Sequence, residues 1–177
     1  MNKRGLSKGY VQVYTGDGKG KTTAALGLAL RASGHGMHTY VGQFMKGQSY
    51  GELKALRDHP YITIEQYGDV NCIRREEVTP RHIAQAHHGL EQARAALLAG
   101  AYDIIVLDEV NVTIWFGMLS VKDVLAFLEE KPERVEVVLT GRRAPQELIK
   151  RADLVTEMLP VKHYYEQGVL AREGIEQ

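Results

Sequence analysis

Apolar and polar positions alternate through residues 10–15, Tyr10-Val11-Gln12-Val13-Tyr14-Thr15, and predict a strand rich in β-formers. Gly16-Asp17-Gly18-Lys19-Gly20 then supplies turn chemistry. Residues 21–33 have a helical composition, with Leu26 and Leu30 on one face and Gly34 at the stop. The opening unit is therefore strand, glycine loop, helix. Further strands are predicted at residues 38–44 and 61–67, with a short helix at 52–57 closed by His59-Pro60. Residues 69–77 read as a polar loop. Thr79 caps the next helix, with Pro80 at its first position, and it runs to Leu98 ahead of Gly100.

Ile104-Ile105-Val106-Leu107 is continuously apolar, as a central parallel strand covered on both faces requires, and it ends in Asp108-Glu109. Ser120 caps a helix to about Glu130. A strand at 135–140, a short helix at 145–150 and a strand at 154–158 complete the pattern. Repetition of strand and helix argues for right-handed crossovers. The expected fold class is α/β, a P-loop NTPase-like three-layer domain with a mostly parallel central sheet. Residues 1–8 form a short basic arm, 9–170 the nucleotide- and substrate-binding domain, and 171–177 a polar tail expected to be mobile or ordered by ligand.

The 177 residues suit one domain of ordinary size. Lys plus Arg and Asp plus Glu both number 22, so no net field favours a polyanion or an acidic bilayer, and neither nucleic acid nor membrane is an expected partner. A single cysteine, Cys72, excludes an internal disulfide framework and suits a reducing compartment. The basic start meets no apolar run of signal length, and no stretch approaches the roughly 18 apolar residues of a membrane span. A cytoplasmic protein is expected.

The glycine loop carries the most specific chemistry. Gly16, Gly18 and Gly20 let successive backbone N–H groups turn inward around phosphate oxygens, and the following helix start adds unpaired donors. Asp17 and Lys19 lie between the glycines, and Lys21, Thr22 and Thr23 follow; Lys21 is suited to the outer phosphates and the Thr22 hydroxyl to Mg2+. The pattern G-x-x-x-x-G-K-[ST] would set its first glycine at Thr15, so this copy departs there. Ligands of parallel sheets collect beyond the carboxyl ends of the strands, where Asp108 and Glu109 also fall; one carboxylate suits the metal and the other a water or second ligand.

Residues 15–25, Thr15 through Ala25, resemble the loop of the ATP:corrinoid adenosyltransferases of the cobalamin pathway. Gln43-Phe44-Met45-Lys46-Gly47, Leu107-Asp108-Glu109-Val110-Asn111, Leu139-Thr140-Gly141-Arg142 and Pro160-Val161-Lys162-His163 extend the resemblance over nearly the whole chain. It implies transfer of the 5′-deoxyadenosyl group of ATP to the Co(I) centre of a reduced corrinoid, with triphosphate released. Gly16 to Thr23 would cradle the triphosphate, reversed in orientation from that of common hydrolases. Lys21 would neutralise it, Thr22 and Glu109 would serve Mg2+ with Asp108 beside them, and Arg142, Lys46, Lys162 and His163 are candidate phosphate or corrinoid contacts. A flavoprotein reductant and a homodimer are the partners implied. Spacing and composition alone leave two other functions open, a magnesium-dependent NTPase or small-molecule kinase and a nucleotide sensor.

Two departures stand out. Relatives resembling the enteric enzymes carry an aromatic pair after a glycine beyond the third strand, facing the corrinoid, whereas residues 68–76 here contain no aromatic. The arm at residues 1–8 is also short for a segment covering a neighbouring subunit. His87-His88 point about 100° apart on a helix and suit no shared metal. Trp115, Phe116 and Met118 follow the acidic pair, with core packing favoured over an apolar ligand surface; Tyr164-Tyr165 would suit a planar ligand.

Overall fold

The computed structural model describes residues 5–176. Residues 1–4 of the expected arm and Gln177 of the expected tail lie outside the described residues. Six strands, β1 (Val11–Thr15), β2 (Thr39–Phe44), β3 (Ile62–Tyr67), β4 (Ile104–Asp108), β5 (Glu136–Thr140) and β6 (Leu154–Glu157), form one sheet in the order β3-β2-β4-β5-β1-β6. All the strand pairings are parallel, so the sheet is more uniform than the expected mostly parallel one.

Side chains of a strand alternate between faces, and the two cores follow that alternation. Ile104 and Val106 of β4 join Val41 and Val138 under α1 (Lys21–Ser33). Ile105 and Leu107 join Val11, Val13, Val137 and Leu139 on the opposite face. There α3 (Pro80–Leu98) and α5 (Val121–Glu129) contribute Leu90, Ala93, Leu97, Val124, Phe127 and Leu128. Helices thus cover both faces, as the apolar run of β4 demanded.

The expected face of α1 is corrected. Its buried stripe is Ala25, Ala29 and Ala32, while Leu30 is 57 % exposed and Leu26 is half-buried. Small side chains let this helix lie close against the sheet as it returns from β1 to β2, and the leucines are turned toward a groove beside α2 (Gly51–Leu56). A helix absent from the sequence reading, α4 (Val110–Trp115), follows β4 directly. Its β-branched composition disguises it, and two tethers hold its first turn: Thr113 Oγ1 donates to Glu109 O at 2.9 Å and Asn111 Nδ2 to Gly141 O at 3.1 Å. The loop of residues 69–77 contains a 3-10 turn, Arg75–Glu77. α6 (Gln146–Arg151) precedes β6, and a second 3-10 turn, Tyr164–Gln167, leads to the tail.

Residues 171–176 fold back onto the glycine loop. Glu176 accepts from Lys19 Nζ at 2.6 Å, Arg172 N donates to Glu176 Oε2 at 2.8 Å, and the Tyr164 hydroxyl also donates to Glu176. No described helix is long and apolar enough to cross a membrane.

Candidate active site

The strand order decides which loops can meet. β5 lies between β1 and β4, so the turn after it emerges between the glycine loop and the acidic strand end. β2 flanks β4 and β6 flanks β1, which brings Lys46 and the segment after Met158 to the same edge. The three described non-glycine residues with left-handed backbone, Met45 (φ 57°), Glu109 (φ 62°) and Arg143 (φ 60°), directly follow or lie just beyond β2, β4 and β5 on that edge. Such strain persists only where the surroundings hold it, and it clusters at functional sites.

The glycine loop is shaped by its neighbour. A Cβ on Gly16 or Gly18 would strike the Met158 carbonyl, and Gly18 N donates to that carbonyl at 2.7 Å. Gly20, at φ 116°, adopts a conformation closed to other residues just before α1. Thr15, where the common pattern has glycine, is buried at the end of β1, and its Oγ1 accepts from Ala144 N at 3.2 Å. A threonine therefore has a positive use there, tying the glycine loop to the turn after β5.

Lys21 Nζ donates to Gly16 O at 2.7 Å and to Gly18 O at 2.6 Å, so its ammonium spans the inside of the loop. Burial lowers its pKa, opposed by the nearby Glu109 carboxylate. Asp108, 1 % exposed, accepts from Thr22 Oγ1 at 2.8 Å and Thr140 Oγ1 at 2.6 Å on Oδ1, and from Lys46 Nζ at 2.8 Å and Gln43 Nε2 at 3.3 Å on Oδ2. Because Thr22 donates its hydroxyl hydrogen to Asp108, the lone pairs of Oγ1 face a donor or a cation, and Lys46 Nζ lies 3.5 Å from that oxygen. Glu109 differs from its neighbour. Its N–H donates to Thr140 Oγ1 at 3.0 Å, but among the described residues its carboxylate has no hydrogen-bond or ion-pair partner. Burial, then the charge of Asp108, raise its pKa above the usual carboxylate range, with Lys46, Lys21 and Arg142 opposing.

One cavity of about 280 Å³ is lined by Asp17, Gly18, Lys19, Gly20, Lys21, Thr22, Thr23, Glu109, Arg142 and His163. It thus unites most of the residues that sequence reasoning selected. Gly16, Lys46, Asp108 and Lys162 are not among the lining residues; Lys46 pairs with Asp108 at 2.8 Å, and Lys162 is exposed. Lys19, Thr22 and Thr23 also border a larger groove of about 590 Å³, whose walls include Leu26, Gly27, Leu30, Tyr50, Leu56 and Ile175. His88 packs edge-on against Tyr67, and Met118 is buried in the core, as expected for structural residues.

Sequence reasoning missed the roles of Gln43 and Thr140. Both stand near strand ends, and the register sets Gln43 beside Asp108, a signal available only once strand order is known. No described group of three or more His, Cys, Asp or Glu side chains forms a metal cage. The donor set nonetheless fits Mg2+, which binds through one or two protein oxygens plus substrate phosphates and water. Thr22 and the unpartnered Glu109 face one cavity, whereas both Asp108 oxygens are already engaged.

Fold and site together define a parallel α/β protein whose glycine loop, lysine and carboxylate meet at the carboxyl edge of the sheet. The family model described as ATP:corrinoid adenosyltransferase BtuR/CobO/CobP matches residues 7–177. A corrinoid adenosyltransferase of Sinorhizobium sp is 37 % identical, the match covering 96 % of this chain and 80 % of that protein. The corrinoid adenosyltransferases of Pseudomonas aeruginosa and Salmonella typhimurium are each 36 % identical over 96 % of this chain, covering 84 % and 86 % of their own lengths. The chain belongs to the ATP:corrinoid adenosyltransferase family.

Proposed function

We propose that the protein transfers the 5′-deoxyadenosyl group of ATP to the cobalt of a reduced corrinoid and releases inorganic triphosphate. The observation that carries this reading is the convergence of Lys21, Thr22, Glu109 and Arg142 on one cavity at the end of parallel strands. A glycine loop of this kind, read as a P-loop, offers backbone N–H groups to phosphate oxygens, and Lys21 exchanges two carbonyl partners for them.

The Co(I) centre attacks the ribose C5′; a Co–C bond forms, the C5′–O bond breaks, and its electron pair leaves on triphosphate as cobalt rises to Co(III). No protein nucleophile is needed. The chain's task is to hold cobalt and C5′ in line and to stabilise charge growing on the leaving group. Lys21 and Arg142 supply fixed positive charge there, while Asp108 orients Thr22. Thr22 and Glu109 would hold Mg2+, which supplies charge neutralisation at the phosphate oxygens. Lys46 acts through Asp108, and His163 lines the cavity with Thr22 and Glu109. A flavoprotein reductant and a homodimer complete the proposal.

The test is anaerobic incubation with ATP, magnesium and chemically reduced corrinoid. A light-sensitive cobalt–carbon bond and intact triphosphate are expected; ADP and phosphate without a corrinoid product would overturn the assignment in favour of an NTPase or kinase. Lys21→Ala is expected to lower turnover at saturating ATP by about a hundredfold with little change in unfolding midpoint. Glu109→Gln is expected to raise the magnesium requirement about tenfold or more.

A further inference from the structure

Arg142 lines the phosphate cavity, yet among the described residues its guanidinium has no hydrogen-bond or ion-pair partner. The side chain is long and exposed, so the backbone beneath it decides where the charge stands. The next residue shows how much that backbone matters. Arg143, held at φ 60°, stacks on Trp115 with its guanidinium 4.5 Å from the ring centroid and is not among the residues lining the cavity. A rotation of the turn at residues 141–144 would therefore redirect Arg142.

Two side chains hold that turn, one at each end. Asn111, wholly buried in α4, donates from Nδ2 to Gly141 O at 3.1 Å. Gly141, at φ 126°, lies so close to the helix that a Cβ on it would stand 3.1 Å from both Asn111 Cβ and Val112 N. At the other end Thr15 Oγ1 accepts from Ala144 N at 3.2 Å. Packing alone explains neither residue. Asn111 Oδ1 is buried without a hydrogen-bond partner among the described residues, a cost that an apolar side chain would avoid. Thr15 is 7 % exposed and stands where the common loop pattern has glycine, which offers no side-chain acceptor. Since Thr15 precedes Gly16 and Asn111 follows Glu109 on α4, the turn is tied to the phosphate loop on one side and to the acidic strand end on the other.

We infer that Asn111 and Thr15 are positioning residues for Arg142: by fixing the two ends of the turn after β5 they hold its guanidinium at the phosphate cavity, where it stabilises charge on the leaving triphosphate. The conclusion rests on the proposed function, which makes triphosphate the leaving group. Both residues act through Arg142. A guanidinium binds phosphate oxygens through a planar fork of N–H groups, so its contribution depends on direction as well as distance. An arginine set in advance by its backbone also gives up less freedom when the anion arrives.

Calorimetric titration of the full chain with inorganic tripolyphosphate, at fixed magnesium and two ionic strengths, reads the arginine without any corrinoid. Arg142→Gln is expected to weaken binding about tenfold and to flatten its salt dependence. Asn111→Ala and Thr15→Val are each expected to weaken it about fivefold and to flatten the salt dependence in the same way. Introduced into Arg142→Gln, each should change the affinity by less than about twofold, because the group it positions is already gone. Thr15→Ser keeps the acceptor for Ala144 N and is expected to bind within about twofold of the unaltered protein. Circular dichroism and urea unfolding check the fold; if Asn111→Ala does not fold, the Thr15→Val and Thr15→Ser pair carries the test. Losses that persist undiminished in the Arg142→Gln background, an Arg142→Gln variant that binds tripolyphosphate normally, or a Thr15→Ser variant as weak as Thr15→Val would each overturn the positioning role. An enzyme that adenosylates corrinoid but shows no such coupling sinks this inference only, whereas a protein that binds no tripolyphosphate and adenosylates no corrinoid sinks the function on which it rests.

Discussion

Lys46 Nζ and Asp108 Oδ2 lie 2.8 Å apart in a pair whose carboxylate is almost wholly buried. Burial works against the ammonium charge, yet Asp108 outweighs it and lifts the Lys46 pKa above the ordinary lysine value. Breaking a buried pair strands the remaining charge, which typically costs about 3–5 kcal/mol. Lys46→Met is therefore expected to lower stability by about 3 kcal/mol in urea unfolding, and Asp108→Asn added to it to recover part of that loss. A loss below about 1 kcal/mol would show that Thr22, Thr140 and Gln43 suffice to hold Asp108.

Much of the fold was legible because β4 announces itself: only a strand covered on both faces reads Ile104-Ile105-Val106-Leu107, and the glycine loop fixes what precedes α1. Less legible was which face of α1 is buried, since Leu26 and Leu30 look like core and the alanines look neutral. α4 hid for a related reason, its β-branched residues being helical only because Thr113 and Asn111 tether the turn after β4. At the site, residue types exposed Lys21, Thr22 and Glu109, but Gln43 and Thr140 acquire their roles from strands distant in sequence. The Trp115–Arg143 contact likewise depends on α4 lying beside the turn after β5.

Gly27 sits inside α1, and a Cβ built there meets no atom within 4 Å. Gly27→Ala should therefore stabilise the protein by about 0.5–1 kcal/mol through helix propensity, measured by thermal or urea unfolding. The added methyl would project toward the groove shared by Lys19, Thr22 and Thr23. If substrate fills that groove, KM rises several-fold while stability increases; a stabilised variant with unchanged KM for ATP and corrinoid would place both substrates elsewhere.

Asp123 Oδ2 accepts from Ser120 N and Ser120 Oγ, each at 2.7 Å, closing the N-terminus of α5. These bonds, the side-chain one foremost, hold the Asp123 pKa below the usual carboxylate value. Their stabilisation is complete above the unfolded-state pKa of about 4 and is lost as pH falls through the lower folded value. Asp123→Ala is expected to cost about 1 kcal/mol at pH 7 and progressively less below pH 4. A cost constant between pH 7 and pH 3 would mean that the charge of Asp123 contributes nothing to the cap.

Glu176 holds Lys19 of the glycine loop at 2.6 Å while Arg172 and Tyr164 hold Glu176, so the tail competes with any anion for the Lys19 ammonium. The competition is weak because the pair is partly exposed, and such pairs are worth at most about 1 kcal/mol. Glu176→Gln should then lower KM for ATP by up to about fivefold, with a smaller effect at high salt, and leave the tail more open to proteolysis. Steady-state kinetics at two ionic strengths decides the matter. A rise in KM would reverse the argument, because it would mean that the closed tail positions Lys19 for phosphate rather than withholding it.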